Sequence, residues 1–148
     1  MHQICLAAEN ERIAQISKHR VECEFTRIDE AVAMATMYSA NHIKVKAIVA
    51  LTESGATTLM MSRIRSGIPI YGVSRNKKAR AKMTLYRGVY PIAFDITKHE
   101  RWEVIESVII GTLLEQNVVE FSDKVILTRG DVLGTPGLSN TMKIIEVT

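Results

Sequence analysis

At 148 residues, 47% apolar and 24% charged, the chain has the size and balance of one soluble globular domain with a real core. It has no run of eighteen apolar residues, and its opening Met1–Glu9 lacks the basic lead of a signal peptide. Cys5 and Cys23 form no CxxC and no disulfide framework, which reads as two reduced thiols of a cytoplasmic protein. The net charge of +3 hides a block of eight bases and no acid from Arg63 to Arg87, so the remainder carries −5. Such a block attracts anions, although a solvated helix face is its commoner meaning.

In chain order, residues 1–12 read as a short helical piece and 13–25 as a linker or docking segment of mixed sign. The domain proper is expected over 26–148. Thr26-Arg27-Ile28-Asp29 has the form of a capping box. The helix behind it, expected to run to about His42, places Ile28, Ala31, Val32, Ala35 and Tyr38 on one apolar face. Ala47–Leu51 is a continuous apolar strand. A helix follows from Gly55, with Leu59, Met60 and Ile64 at helical spacing and Gly67 as its stop. Ile70–Val73 is a second strand, ending at Ser74-Arg75-Asn76, and Lys77–Tyr86 is a basic helix-compatible segment. Val89–Phe94 is a third strand, which Pro91 pushes to a sheet edge because it cannot donate to the ladder. Thr97-Lys98-His99-Glu100 repeats the capping-box form. The next helix, to about Gln116, carries Trp102, Ile105, Ile109 and Leu113 on one stripe. Lys124–Thr128 and Met142–Val147 are two more strands. The turn-rich segment between them predicts an antiparallel wide hairpin.

Strands alternating with helices predict a mostly parallel sheet covered on both faces, which binds ligands beyond the carboxyl ends of its strands. Three loops meet that condition: Thr52–Thr57, Ser74–Asn76 and 129–141. Thr52-Glu53-Ser54-Gly55-Ala56-Thr57 is the most informative, because helix-start amides lack internal partners and small hydroxyl residues surround them with donors. The same residues also suit a plain N-cap at Ser54, and both readings stand on the turn alone.

Other chemistry finds little support. No GxGxxG occurs, and the P-loop imitation from Gly67 to Ser74 has Val73 where lysine is required. His2, His19, His42 and His99 are scattered, which argues against zinc. Neither cysteine shows a histidine partner that would activate it. Glu22 and Glu24 fall in the linker, and Trp102 reads as core. Nucleic-acid binding rests on the basic block alone.

The chain resembles the C-terminal domain of pyruvate kinase, bacterial forms in particular. The matching pieces are His19-Arg20, Glu30–Met34, Ala50-Leu51-Thr52-Glu53-Ser54-Gly55, Ser62-Arg63-Ile64, Pro69-Ile70, Leu85-Tyr86-Arg87-Gly88-Val89 and Ser139-Asn140-Thr141-Met142. The resemblance implies a three-layer α/β/α sandwich whose mixed five-stranded sheet has its last strand antiparallel. It makes residues 1–12 the last helix of a preceding catalytic barrel. It implies an effector site in which Thr52, Ser54, Gly55, Ala56 and Thr57 hold a phosphate. A gating loop of Gly134, Thr135, Pro136, Gly137, Leu138, Ser139, Asn140 and Thr141 closes that site, with Arg75 and Arg129 as accessory anion contacts.

The family often has a base where Ala56 stands, and members binding fructose 1,6-bisphosphate place Trp and Arg in the last loop. The first leaves one charge contact unmade; this last loop has no Trp and only Arg129 as a nearby base, which favours a sugar monophosphate or AMP as effector. The implied partners are the barrel and further copies in a homo-oligomer, with no membrane. Magnesium and potassium belong to the barrel, whose transfer of phosphate from phosphoenolpyruvate to ADP this chain alone is not expected to perform. A purely structural oligomerising domain is the alternative.

Overall fold

The computed structural model describes residues 2–10, 24–99, 101–131 and 139–148. Residues 13–23 of the linker expected over 13–25 (with His19, Glu22 and Cys23), Glu100 and the loop residues Gly134–Leu138 lie outside them. A helix α1 spans His2–Asn10, where the helical piece is expected. The domain that follows runs α2 (Ile28–His42), β1 (Ala47–Leu51), α3 (Ala56–Ser62), β2 (Ile70–Ser74), α4 (Lys77–Met83), β3 (Val89–Ala93), a 3-10 turn (Ile96–Lys98), α5 (Trp102–Glu115), β4 (Lys124–Gly130) and β5 (Ser139–Glu146).

The five strands form one sheet in the order β3-β2-β1-β4-β5. β1, β2, β3 and β4 are parallel, and β5 returns antiparallel on β4, with Ile126 opposite Ile144. This is the expected α/β fold, with Pro91 on edge strand β3 where its missing N–H costs no inner ladder bond.

Every residue of β1 is buried, because successive side chains enter opposite layers. Ile48 and Ala50 join Ile70, Val89 and Ile126 under α2, α3 and α4, which contribute Met37, Met61 and Met83. Ala47, Val49 and Leu51 join Val73, Val125 and Leu127 under α5, whose Ile105, Ile109 and Leu113 form the expected stripe. The layers are therefore three helices, the sheet, and one helix.

Four local expectations fail for identifiable reasons. The capping box at Thr26 does not form: Arg27 occupies the N-cap without a side-chain capping bond. Asp29 is buried and bound instead by the Arg27 guanidinium and the Glu30 N–H. The expected apolar face of α2 is turned outward, with Ile28 71% and Tyr38 55% exposed, while Ala33, Thr36, Met37 and Ala40 face the core. Small residues let α2 lie close to the sheet, so steric fit outweighs side-chain hydrophobicity here.

Helix α3 stops at Ser62, well before Gly67. Its last turn tightens, with Arg63 N–H on Met60 O and Ile64 N–H on Met61 O, and Asn41 of α2 holds Arg65 O and the Ser66 hydroxyl. The second capping box also fails. Asp95 caps the 3-10 turn through the Thr97 N–H, and α5 starts from Arg101 with no side-chain cap.

Gly72 sits where β2 passes beneath α3 and α4. A Cβ there would collide with Met83 Sδ and come within 3.1 Å of Thr58 Cγ2. Since Met83 is fully buried, it has little room to yield. Gly72→Ala is expected to lower unfolding stability by about 1–3 kcal/mol, read from urea denaturation; an unchanged midpoint would show that the α4 layer can relax.

Candidate functional site

The sheet order reverses direction between β1 and β4: β2 and β3 build outward on one side, β4 and β5 on the other. Ligands of open α/β sheets bind beyond the carboxyl ends of the strands at such a switch point. The turn after β1 and the chain after β4 meet there.

The turn is organised by its own hydroxyls. Thr52 N–H donates to Val73 O (3.0 Å), fastening the turn to the end of β2. Thr52 Oγ1 accepts from Gly55 N–H (3.0 Å), and Ser54 Oγ accepts from Ala56 N–H (3.3 Å). Gly55, and not Ser54, is the N-cap of α3, in the left-handed conformation at φ 81° that side chains resist. Gly55 O then accepts from Leu59 N–H (3.0 Å) and the Thr58 hydroxyl (2.8 Å). The amides of the first helical turn have no i−4 carbonyl, as at any helix start. Ser54 is exposed, Thr52 and Ala56 are half-buried, and Gly55 and Thr57 are buried.

Thr57 Oγ1 lies 2.8 Å from Ser139 Oγ. The two residues are 2% and 6% exposed, so this bond is made away from water. It joins the turn after β1 to the first residue of β5. Of the expected gating loop, Ser139, Asn140 and Thr141 are strand residues, because the β4–β5 ladder extends to Gly130 and Ser139 across a register shift. Asn140 and Thr141 close the hairpin on Asp131: Asn140 Nδ2 donates at 2.8 Å and the Thr141 hydroxyl at 3.3 Å.

The two arginines expected to assist have other partners. Arg75 pairs with Glu53 of the turn at 3.2 Å and donates to the Thr97 hydroxyl oxygen at 3.3 Å. Thr97 in turn donates to Asp95 Oδ1 at 2.7 Å. That hydroxyl is the chief reason the Asp95 carboxyl lies below its ordinary range, with the Thr97 N–H and the Arg75 charge adding to it. Arg80 braces the neighbouring loop, donating to Ser74 O and Arg75 O at 2.8 Å each. The Asn76 side chain caps α4 on Lys78 and Ala79 N–H. Arg129 lies with its guanidinium 4.0 Å from the Trp102 ring centre, and its Nε is buried without a hydrogen-bond partner. Trp102 is thus a half-buried platform for a cation as well as a packing residue.

Sequence reading anticipated the rim and the turn. It missed the Glu53–Arg75 pair, the Arg80 brace, the Arg129–Trp102 stack and the Thr57–Ser139 bond. Only the first had a local signal, a carboxylate inside the anion turn and a base in the adjacent loop. The basic block is also dispersed, since Arg75 and Arg80 are held within the rim. A separate cavity of about 750 Å³ opens at the amino ends of β2 and β3, bordered by Pro69, Tyr71, Thr84 and Tyr90. Among the described residues no helix is long and apolar enough to cross a membrane.

Residues 30–145 match the family described as pyruvate kinase, alpha/beta domain. The chain belongs to that family. The pyruvate kinase of Buchnera aphidicola subsp. Schizaphis graminum is 44% identical over 149 residues, covering 100% of this chain and 31% of its own length. Pyruvate kinase II of Salmonella typhimurium is 43% identical over 154 residues, covering 99% and 30%. The pyruvate kinase of Candida albicans is 30% identical over 158 residues, covering 99% and 30%. This pyruvate kinase α/β domain therefore spans about a third or less of the relatives it matches.

A depressed carboxylate stabilises the fold above its unfolded pKa, and that contribution is lost as pH falls through the folded value. For Asp95 the loss therefore falls in the acid range below ordinary carboxylates. Thr97→Val removes the main cause and is expected to move the Asp95 titration upward, read by NMR. An unmoved titration would assign the shift to the Thr97 N–H and the nearby charges.

Proposed function

We propose that this chain is the regulatory domain of a pyruvate kinase. In this reading the complete enzyme, using magnesium and potassium in its catalytic barrel, transfers phosphate from phosphoenolpyruvate to ADP in the cytoplasm. The domain binds a phosphorylated effector and contributes contacts to a homo-oligomer. Thr52, Ser54, Gly55, Ala56 and Thr57 receive the phosphate, and the segment Gly134–Thr141 closes over it. The observation that carries this is the position of a hydroxyl-rich turn, with a left-handed glycine and a helix start, at the sheet's switch point in a pyruvate kinase α/β domain.

The charge around the turn favours a single phosphate. Glu53 neutralises Arg75, and Ala56 supplies no charge. Arg129 is the remaining accessory cation of this reading, and its position over Trp102 suits one further polar group better than a second dianion. A sugar monophosphate or AMP fits that balance.

The contribution to oligomer contacts is favoured by two surfaces. Helix α2 exposes Ile28 and Tyr38, and edge strand β5 exposes Ile144.

Calorimetric titration with glucose 6-phosphate, ribose 5-phosphate and AMP is expected to show binding of at least one at a single site. Ser54→Ala should weaken it about ten-fold, the loss of a hydrogen bond to a charged group. Failure of all three to bind would remove the effector reading and leave a structural role. In the complete enzyme, effector affinity is expected to change with phosphoenolpyruvate occupancy, since coupling is reciprocal.

A further inference from the structure

The bond between Thr57 and Ser139 joins residues 82 apart in the chain, and either oxygen can be its donor. A hydroxyl has one proton to give and two lone pairs to receive. A phosphate oxygen only accepts. If the turn holds phosphate, Thr57 gives its single proton to the anion and can no longer donate to Ser139. The bond then survives in one sense only, with Ser139 donating to Thr57.

We propose that Ser139 is a positioning residue of the phosphate site, acting through Thr57 and without contact with the anion. This rests on the reading of the Thr52–Thr57 turn as that site. The proton order is Ser139 to Thr57 to phosphate. Both residues are buried, so water does not compete for either hydroxyl. Each bond in such a chain polarises the next. Thr57 has little freedom of its own: it is the second residue of α3, between Ala56 and the buried Thr58, whose hydroxyl is committed to Gly55 O. Ser139 therefore sets the direction in which Thr57 presents its proton.

The same bond carries the event outward. Ser139 is the first residue of β5 and pairs with Gly130 at the register shift that ends the β4 ladder. An anion that fixes the proton order at Thr57 also tightens the start of the edge strand. The turn and the strand that follows the gating segment are in this way coupled through two oxygens, with no movement of the sheet between them.

The test is a mutant cycle on the whole chain with inorganic phosphate and glucose 6-phosphate as probes. Ser139→Val removes the hydroxyl, Ser139→Thr keeps it at the shape of valine, and Thr57→Val removes the intermediary. Ser139→Val is expected to weaken phosphate binding about two- to ten-fold, the range of one hydrogen bond. Ser139→Thr should restore it. In the Thr57→Val background, Ser139→Val should cause no further loss.

An equal loss in both backgrounds would mean that Ser139 acts independently of Thr57 and would overturn the proposal, as would no loss with Thr57 present. A wild-type chain that binds neither probe would remove the phosphate site itself, and this role with it. Amide exchange gives a second readout: phosphate should slow the first amides of β5 in the wild type and leave them unchanged in Ser139→Val. Slowing of equal size in both would also overturn the proposal.

Discussion

Strand β1 is buried along its whole length, with alternate side chains committed to two different helical layers. Much of the architecture follows from that constraint. A strand buried on both faces needs neighbours on both edges and helices above and below. Parallel neighbours must be reached by crossovers, and here the crossovers leave β1 in one direction for β2 and return on its other side as β4. The carboxyl end of β1 thus becomes the place where two loops of distant sequence meet. The turn that begins at Thr52 has no other place to go.

What surrounds the turn divides by side. Towards β2 and β3 lies a connected series in which Glu53 meets Arg75, Arg75 meets Thr97, and Thr97 meets Asp95. Arg80 secures that series from below by holding two carbonyls of the loop after β2. Towards β4 and β5 the turn has the Thr57–Ser139 bond, and at the end of β4 Arg129 lies over Trp102. One side is charge-compensated and braced. The other side carries a cation with an unused buried donor and adjoins the start of β5. On the proposed phosphate reading, this asymmetry favours the β4–β5 side for the response to an anion, because the Thr57–Ser139 bond links the turn to the start of β5.

The failed local expectations share a cause. Both capping boxes were read from spacing, yet in each one member has another partner: Asp29 the Arg27 guanidinium, and Thr97 the Asp95 carboxylate. Helix α2 was read from apolar periodicity, yet its inner face is built from Ala33, Thr36, Met37 and Ala40. Periodicity counts hydrophobic residues, whereas packing selects those that fit. Helix α3 ended before its glycine because α2 reached across to hold the chain at Arg65 and Ser66. The partners that stop α3 lie outside the window in which a local pattern is read, whereas each capping box lost to a competitor two residues away.

By itself, the sequence determined the strands, their alternation with helices, the edge position of β3, the antiparallel return of β5 and the rim on which the Thr52–Thr57 turn stands. These follow from short-range chemistry: continuous apolar runs, proline at an edge, turn residues between two strands. The Thr52–Thr57 turn could also be located, since its glycine and hydroxyls act within a few residues. Only the tertiary structure decided which face of α2 is buried, that Arg75 is neutralised by Glu53, that Arg129 rests on Trp102, and that Thr57 meets Ser139. Each of these depends on the order of strands in the sheet, which brings together side chains that no local rule pairs. Hydrogen bonds and charges act over a few ångströms of space, whatever the separation along the chain.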